Sequence, residues 1–423
     1  MKKILIFLSL FSAKAALAQL NLAAAGMPFL QQQSSLNPSF IPTHRFVIGG
    51  DVEAGAYNSF RGLKVVNSKI YAGHSADPSV LYTRLNCNLL NAGLRIGKKS
   101  YLTFSESVRQ LNFGSLSSDG LGMLLHGNAP YIGQTVNANP NIQSLFYNEL
   151  SLGFAQKIGK LQLGVRGKMW NGVGAISTGA DQKLSVLTEK DAYQLTLNSD
   201  YSIYAAPSVD VDGLLNGGFA LSGLKPDSKG WGVDLGARFE FNDKFSVSAS
   251  MIDLGSIQWV GRKNTSKGTV RYEGFDATKA FTDRGDLTFG VNLDTLVDQL
   301  KFRSTDGVGF TTTLPQTFLV SGTYRFGDKL TATCLYSGTS YQKTSMNTIM
   351  INGQYQALGF LNLGLSYSLR DATSLLGANL TLGSRTVQAF VMTDNLPGFF
   401  RPVRTSILNV RMGLNLRFGR MNK

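Results

Sequence analysis

The stretch Asn409 to Phe418, "NVRMGLNLRF", stands close to the end of the chain and decides how the rest is read. Val410, Met412, Leu414, Leu416 and Phe418 are apolar, and Arg411, Gly413, Asn415 and Arg417 fall between them. Alternation with period two is the mark of a β-strand with two unlike faces. A soluble sandwich would bury the apolar face in a core. A membrane barrel would turn it toward lipid and put the arginines in a wet interior. One strand does not separate these readings.

The pattern recurs. "LLNAGLRIG" sets Leu90, Ala92, Leu94 and Ile96 against Asn91, Gly93 and Arg95. "LQLGVRGKM" sets Leu161, Leu163 and Val165 against Gln162, Gly164, Arg166 and Lys168, and "VDLGARFEF" and "LNLGLSYSL" repeat the arrangement. Glycine falls often on the polar face, which suits crowded inward positions. Sixteen such segments are expected, near 44–57, 88–97, 100–113, 146–158, 160–175, 182–189, 192–205, 230–241, 244–259, 313–326, 329–342, 346–356, 359–370, 374–383, 386–394 and 405–418. The 182–205 hairpin is the pair able to project beyond the membrane, which leaves fourteen.

The connections alternate in length. One set is tight: Lys98-Lys99, Gly159, Lys190-Asp191, Asn242-Asp243, Gly327-Asp328, Ala357-Leu358 and Ser384-Arg385. The other set is longer on average, with 58–87, 114–145, 206–229 and 260–312 the largest. Tight turns at one end and long loops at the other are the signature of bacterial outer-membrane barrels. The fold class expected is therefore all-β: a transmembrane antiparallel up-and-down barrel of fourteen to sixteen strands. Its turns are periplasmic and its long loops extracellular. Phe418 then ends the last strand with the aromatic residue such barrels use for membrane assembly. Short helical segments are expected at 79–85, 119–127 and around Leu293, Leu296, Val297 and Leu300.

Composition agrees with export to an envelope. The chain holds 46 Gly but only 11 Pro, and 16% of its residues are charged, against an average of about 25%. Lys2 and Lys3, the apolar run Ile4 to Ala13 and the Ala16-Leu17-Ala18 triplet form a secretory signal peptide over 1–18, with Gln19 following the cut. The expected division is a periplasmic or plugging segment over 19–43, the barrel over 44–418 with 260–312 as its largest extracellular insertion, and a periplasmic tail over 419–423. Two cysteines, Cys87 and Cys334, are too few for a disulfide-stapled exported domain. The net charge of +14 points to anionic lipid headgroups or solutes rather than nucleic acid, which exported chains rarely meet.

Three stretches carry a family resemblance: "SLNPSFIP" at Ser35 to Pro42, "GWGVDLGARFEFNDKFSVSASMIDLGSIQW" at Gly230 to Trp259, and "TDNLPGFFRP" at Thr393 to Pro402. Together they resemble an uncharacterised outer-membrane barrel family of Bacteroidota. That family is similar in general design to long-chain fatty-acid transporter-like barrels and to the barrel subunits of type IX secretion. The resemblance implies a monomeric barrel of about fourteen strands with an N-terminal segment in or against the lumen. It implies no ligand.

No catalytic motif is present: there is no G-x-S-x-G, H-E-x-x-H or C-x-x-C, and no metal or cofactor site is read from the sequence. His74 and His126 lie on loops near Asp77 and Asp119, a common accident. Strand parity sends Arg95, Arg166, Lys168, Arg238, Arg325, Arg370, Arg411 and Arg417 into the lumen, with Asp51, Glu53, Glu106, Asp200, Asp234 and Glu240. Mixed signs favour an ion-pair network bracing the barrel over an anion-selective path, since a selective pore is lined by rings of one sign. Leu396, Phe399 and Phe400 form an apolar tip, read either as an aromatic girdle or as a landing surface. An apolar pocket beneath the loops is expected, lined by residues such as Phe29, Leu30 and Phe40 of the N-terminal segment.

Three functions fit these features. The first is passive transport of a small hydrophobic or amphipathic molecule through a plugged barrel. The second is a non-enzymatic scaffold or docking subunit of an envelope or secretion assembly, and the third is an anion-preferring diffusion pore. Outer-membrane lipid and the barrel-assembly machinery are the expected partners, with a hydrophobic small molecule or an envelope protein as the further candidate.

Overall fold

Fourteen antiparallel strands close into a barrel because every strand presents grease outward and polar groups inward. Along Leu361–Arg370, Leu365, Tyr367 and Leu369 are 63%, 51% and 46% exposed, while Ser366, Ser368 and Arg370 are 3% or less. The closing strand does the same: Met412, Leu414, Leu416 and Phe418 face out, and Arg411 and Asn415 are buried. A soluble core would invert this order, so lipid is the solvent of the outer wall.

The computed structural model describes residues 22–27, 29–59, 64–66, 69–71, 78–178, 182–190, 194–207, 209, 228–272, 302–371, 373–401 and 405–420. The expected signal peptide, the helix around Leu293 to Leu300, His74 and the 419–423 tail beyond Arg420 lie outside these residues. The wall strands, numbered here for the barrel alone, are β1 (His44–Asn58), β2 (Ser79–Ile96), β3 (Ser100–Leu116), β4 (Asn141–Ile158), β5 (Leu161–Thr178) and β6 (Ser228–Glu240). They continue with β7 (Phe245–Tyr272), β8 (Gln316–Arg325), β9 (Leu330–Tyr341) and β10 (Thr344–Leu358). The last four are β11 (Leu361–Arg370), β12 (Thr373–Gly383), β13 (Val387–Thr393) and β14 (Ile407–Arg420). Consecutive strands pair, and β14 pairs with β1 to close the circle, His44 opposite Arg420 and Gly50 opposite Leu414. Phe46 and Phe418 stack outside this seam at 6.0 Å.

Of the fourteen to sixteen strands expected, fourteen form the wall, and the 182–205 hairpin is the pair outside it. Lys183–Thr188 and Leu195–Ala205 pair with each other, and Leu195–Ala205 pairs with the upper part of β7. At 28 residues, β7 is far longer than a bilayer crossing, and its outer half leaves the wall. There it forms a projecting sheet with Leu195–Ala205 on one side and Arg303–Thr313 on the other. The segment 260–312 is therefore not one loop: 260–272 and 303–312 are strand. The turn at Lys190 belongs to this projection rather than to the periplasmic rim. The turn expected at Ala357-Leu358 falls two residues later, because β10 runs through Leu358. Residues 79–85 are strand, not helix, since β2 alternates through them. Ser118–His126 is a helix as expected, capped by the Ser117 side chain, which accepts from Gly120 N at 2.9 Å.

Candidate functional site

The described N-terminal residues are buried among the inward side chains of the wall. Two short 3₁₀ turns, Leu22–Gly26 and Gln31–Ser35, run through the barrel, with Ala23, Ala24, Met27 and Leu30 fully enclosed. Small side chains let this segment pass between the inward residues of the wall. Leu30 packs with Met27, Leu319, Met350 and Phe390, and Phe29 lies against the same cluster. Phe40 is buried nearer the periplasmic end. The wall yields space where the segment comes closest. A Cβ on Gly164 would sit 2.3 Å from the Pro38 carbonyl, and one on Gly236 2.1 Å from the Asn37 side chain.

Polar bonds from the wall hold the segment along its length. At its outer end the Asp394 carboxylate accepts from the backbone N–H of Leu22 and Ala23, each at 3.2 Å. Gln32 and Asn415 exchange two amide hydrogen bonds at 2.9 Å, and Tyr101 donates to Gln31 at 2.8 Å. Ser250 donates to the Leu36 carbonyl at 2.6 Å. The guanidinium of Arg166 donates to the Ser34 carbonyl, and that of Arg95 to the Pro42 carbonyl.

Beside the segment runs a chain of buried charges that alternates in sign. Glu149 meets Arg109 at 2.7 Å, Arg109 meets Asp253 at 3.5 Å, Asp253 meets Lys168 at 2.5 Å, Lys168 meets Asp234 at 2.8 Å, and Asp234 meets Arg166 at 3.5 Å. Two further pairs stand apart from it, Arg411–Asp51 at 2.7 Å and Arg370–Asp394 at 3.3 Å. Each charge is matched, as burial in a low dielectric demands. One end of the chain touches the N-terminal segment through Arg166. At the other end Trp170 Nε1 donates to Glu149 at 2.7 Å.

Trp170 belongs to a packed aromatic cluster in the outer half of the lumen. Tyr82, Phe113, Tyr147, Trp259 and Tyr341 share it, with Phe113 and Tyr341 edge to face at 5.4 Å. Gly232 gives Trp170 room, since a Cβ there would lie 2.1 Å from the indole.

The residues singled out in the sequence fall into separate places. Arg166, Lys168 and Arg411 are buried inside the barrel, and Arg370 is buried at the outer end of its strand. Arg95, Arg238, Arg325 and Arg417 sit toward the periplasmic rim, where Arg238 donates to Ser246 at 3.0 Å, Arg325 to the Asp243 carbonyl at 3.5 Å and Arg417 to the Ser384 carbonyl at 2.6 Å. Two acids are corrected. Glu106 is exposed on the outer wall, because Leu102, Phe104 and Val108 share its parity, and Tyr101, Thr103 and Ser107 face inward. Asp200 lies on the projecting sheet and pairs with Lys267 at 3.1 Å. Leu396, Phe399 and Phe400 are 38%, 42% and 81% exposed on a short helix, away from Phe29, Leu30 and Phe40. The same loop hides what the sequence reading missed, the buried Asp394 with Asn395 and Asn409 around it. Arg109, Glu149 and Asp253 were missed as well. Asp253 has φ of +61°, a left-handed residue at a β-bulge opposite Asp234, and it reverses the parity of β7.

No curated protein matches the sequence. Among solved structures, the toluene transporter TbuX of Ralstonia pickettii aligns at 12% identity and a TM-score of 0.44, covering 91% of this chain and 93% of that one. The toluene transporter TodX of Pseudomonas putida aligns at 11% and 0.43, covering 95% and 97%. The translocator domain of the autotransporter NalP from Neisseria meningitidis aligns at 8% and 0.37, covering 94% and 96%. A profile built on a protein family matches residues 53–394, from the acid inside β1 to the aspartate that holds the N-terminal segment, and the chain belongs to that family, a family of unknown function designated DUF5723.

Proposed function

We propose that the protein is a non-enzymatic outer-membrane barrel that passes a small hydrophobic or amphipathic molecule, with residues 22–42 as its plug. The observation that carries this reading is the unbroken chain from Trp170 through Glu149, Arg109, Asp253, Lys168, Asp234 and Arg166 to the Ser34 carbonyl. It links the packed aromatic cluster of the outer half to the N-terminal segment. An apolar molecule passing the cluster must displace aromatic side chains. Trp170 is bonded to Glu149, so a shift of the indole perturbs the ionic chain that ends on the plug. Displaced aromatic side chains offer an apolar guest favourable contact area, and a water-filled pore has no use for such a cluster. Pairing of opposite charges along the lumen also speaks against the anion pore, which needs unpaired cations.

The test is conductance in a planar bilayer, with the full chain and with a variant lacking residues 22–42. The full chain is expected to be silent and the deletion variant to conduct. Steady, anion-preferring current through the full chain would overturn the reading in favour of a pore.

A docking role is favoured by one feature, the projecting sheet. Its strand Arg303–Thr313 pairs on one side only among the described residues, and most of its side chains are exposed. Such an edge offers backbone hydrogen bonds to an added strand. Silence in both forms, with a protein partner recovered in fixed ratio, would establish this role instead.

A further inference from the structure

We propose that the lumen contains a halide site, filled by chloride in solution, at the outer end of the N-terminal segment. A cavity of about 20 Å³ lies there, room for one small group the size of a water molecule. Arg84 and Arg370 line it together with Thr317, Ser337, Thr339 and Thr348, of which Thr317 and Thr339 share a hydrogen bond at 2.9 Å, and Leu22, Tyr82, Pro315 and Met346 complete the wall. The lining includes no carboxylate.

Arg370 supplies the decisive detail. Its Nε donates to Thr348 Oγ1 at 2.8 Å and its Nη2 to Asp394 at 3.3 Å. Its Nη1 is buried with no hydrogen-bond partner among the described residues. A buried guanidinium N–H left unmatched is costly, and native proteins rarely tolerate one. Arg84, the second cation of the lining, lies beside Glu53. Thr348 already accepts from Arg370, so its own proton is free to point elsewhere. Asp394 on Arg370 Nη2 and Glu53 beside Arg84 offset the two cationic charges, and the donors left over, Arg370 Nη1 and the hydroxyls, form a set that an anion accepts from. The small volume favours a compact anion over a carboxylate with a chain attached. The ligand is therefore a halide and not the head of a transported amphiphile, and the proposal is independent of the transport reading. Arg370 shares Asp394 with the amides of Leu22 and Ala23, so the anion and the seated segment press on one group.

A buried water is the competing occupant, and two measurements separate them. Crystals of the full chain soaked in sodium bromide are examined at the bromine absorption edge. The expected result is an anomalous peak within hydrogen-bond reach of Arg370 Nη1; its absence assigns the cavity to water and overturns the proposal. Urea unfolding of the full chain in detergent is then followed as chloride replaces gluconate at fixed ionic strength. The midpoint is expected to rise with chloride, because a ligand that binds only the folded state stabilises it. Ser337→Ala removes one donor and breaks no ion pair. It is expected to raise the chloride concentration needed for half the effect about tenfold. Thr323→Val, which alters a hydroxyl pair with Thr333 at 3.1 Å, leaves the chloride response unchanged. A bromide peak without a chloride response would mean an adventitious ion only, and an equal response in Ser337→Ala would place the effect elsewhere. Either result overturns the site.

Discussion

Lys168 and Lys157 point into the same barrel from neighbouring strands, and each touches a carboxylate at 2.5 Å. Lys168 is 3% exposed and shares its charge between Asp253 and Asp234. Lys157 is 38% exposed at the periplasmic rim and has Glu240. The contact distance is the same and the energetics are not. Water screens the rim pair, and its loss is nearly free. At mid-barrel the attraction serves mainly to offset desolvation, so the pair adds little net stability, but removing one partner strands the other. The inner network is thus a device for fixing one arrangement of the lumen, and the rim charges are a solvated fringe.

The sharpest way to break this contrast is at Asp253. Asp253→Asn leaves Lys168 and Arg109 sharing one negative charge fewer, and the loss is expected to be about 3–5 kcal/mol. The urea midpoint of the protein folded into vesicles measures it. A change below 1 kcal/mol would show that water reaches the network and that the two lysines are alike after all.

Two further substitutions ask whether the network and the segment act together. Asp394→Asn weakens the acceptor for Leu22, Ala23, Asn409 and Arg370 at once, at an expected cost of about 2 kcal/mol. The outer end of the segment should then be cut by protease from the extracellular side, while the barrel stays intact. Gly236→Val acts without touching a charge. Its side chain would collide with Asn37 and Pro38, an overpacking expected to cost about 1–2 kcal/mol. The predicted readout is flickering conductance from a displaced segment. A silent Gly236→Val barrel of unchanged stability would show that the wall, not the segment, moves to make room.

How much of this was legible in the sequence depends on how local the signal is. The outer wall was, because period-two alternation needs only neighbours: Leu163 and Val165 against Arg166 and Lys168 is read without any fold. The inward course of Arg370 and Arg411 follows from the same rule. Parity fails where one residue is added. Asp253 carries a positive φ that no residue type announces, and the bulge hides it from a count by twos. The contact of Asp394 with Leu22 spans 372 residues, and a single sequence holds no trace of it. The projecting sheet left the strand count open between fourteen and sixteen for another reason, since a strand above the membrane alternates much like one within it.

The smallest expected effect closes the comparison. Lys157→Ala breaks the bond to Glu240 Oε2, but Gln162 Nε2 still donates to Glu240 Oε1 at 3.1 Å and Arg238 lies 3.9 Å away. The acid therefore stays partnered, water takes the vacant position, and the loss is expected to be about 0.5 kcal/mol at low salt and less at high salt. Equilibrium unfolding of this variant at two ionic strengths sets the scale for the rest. A salt-insensitive loss as large as that of Asp253→Asn would mean that the periplasmic end is sealed from water, and that the closed lumen extends through the rim.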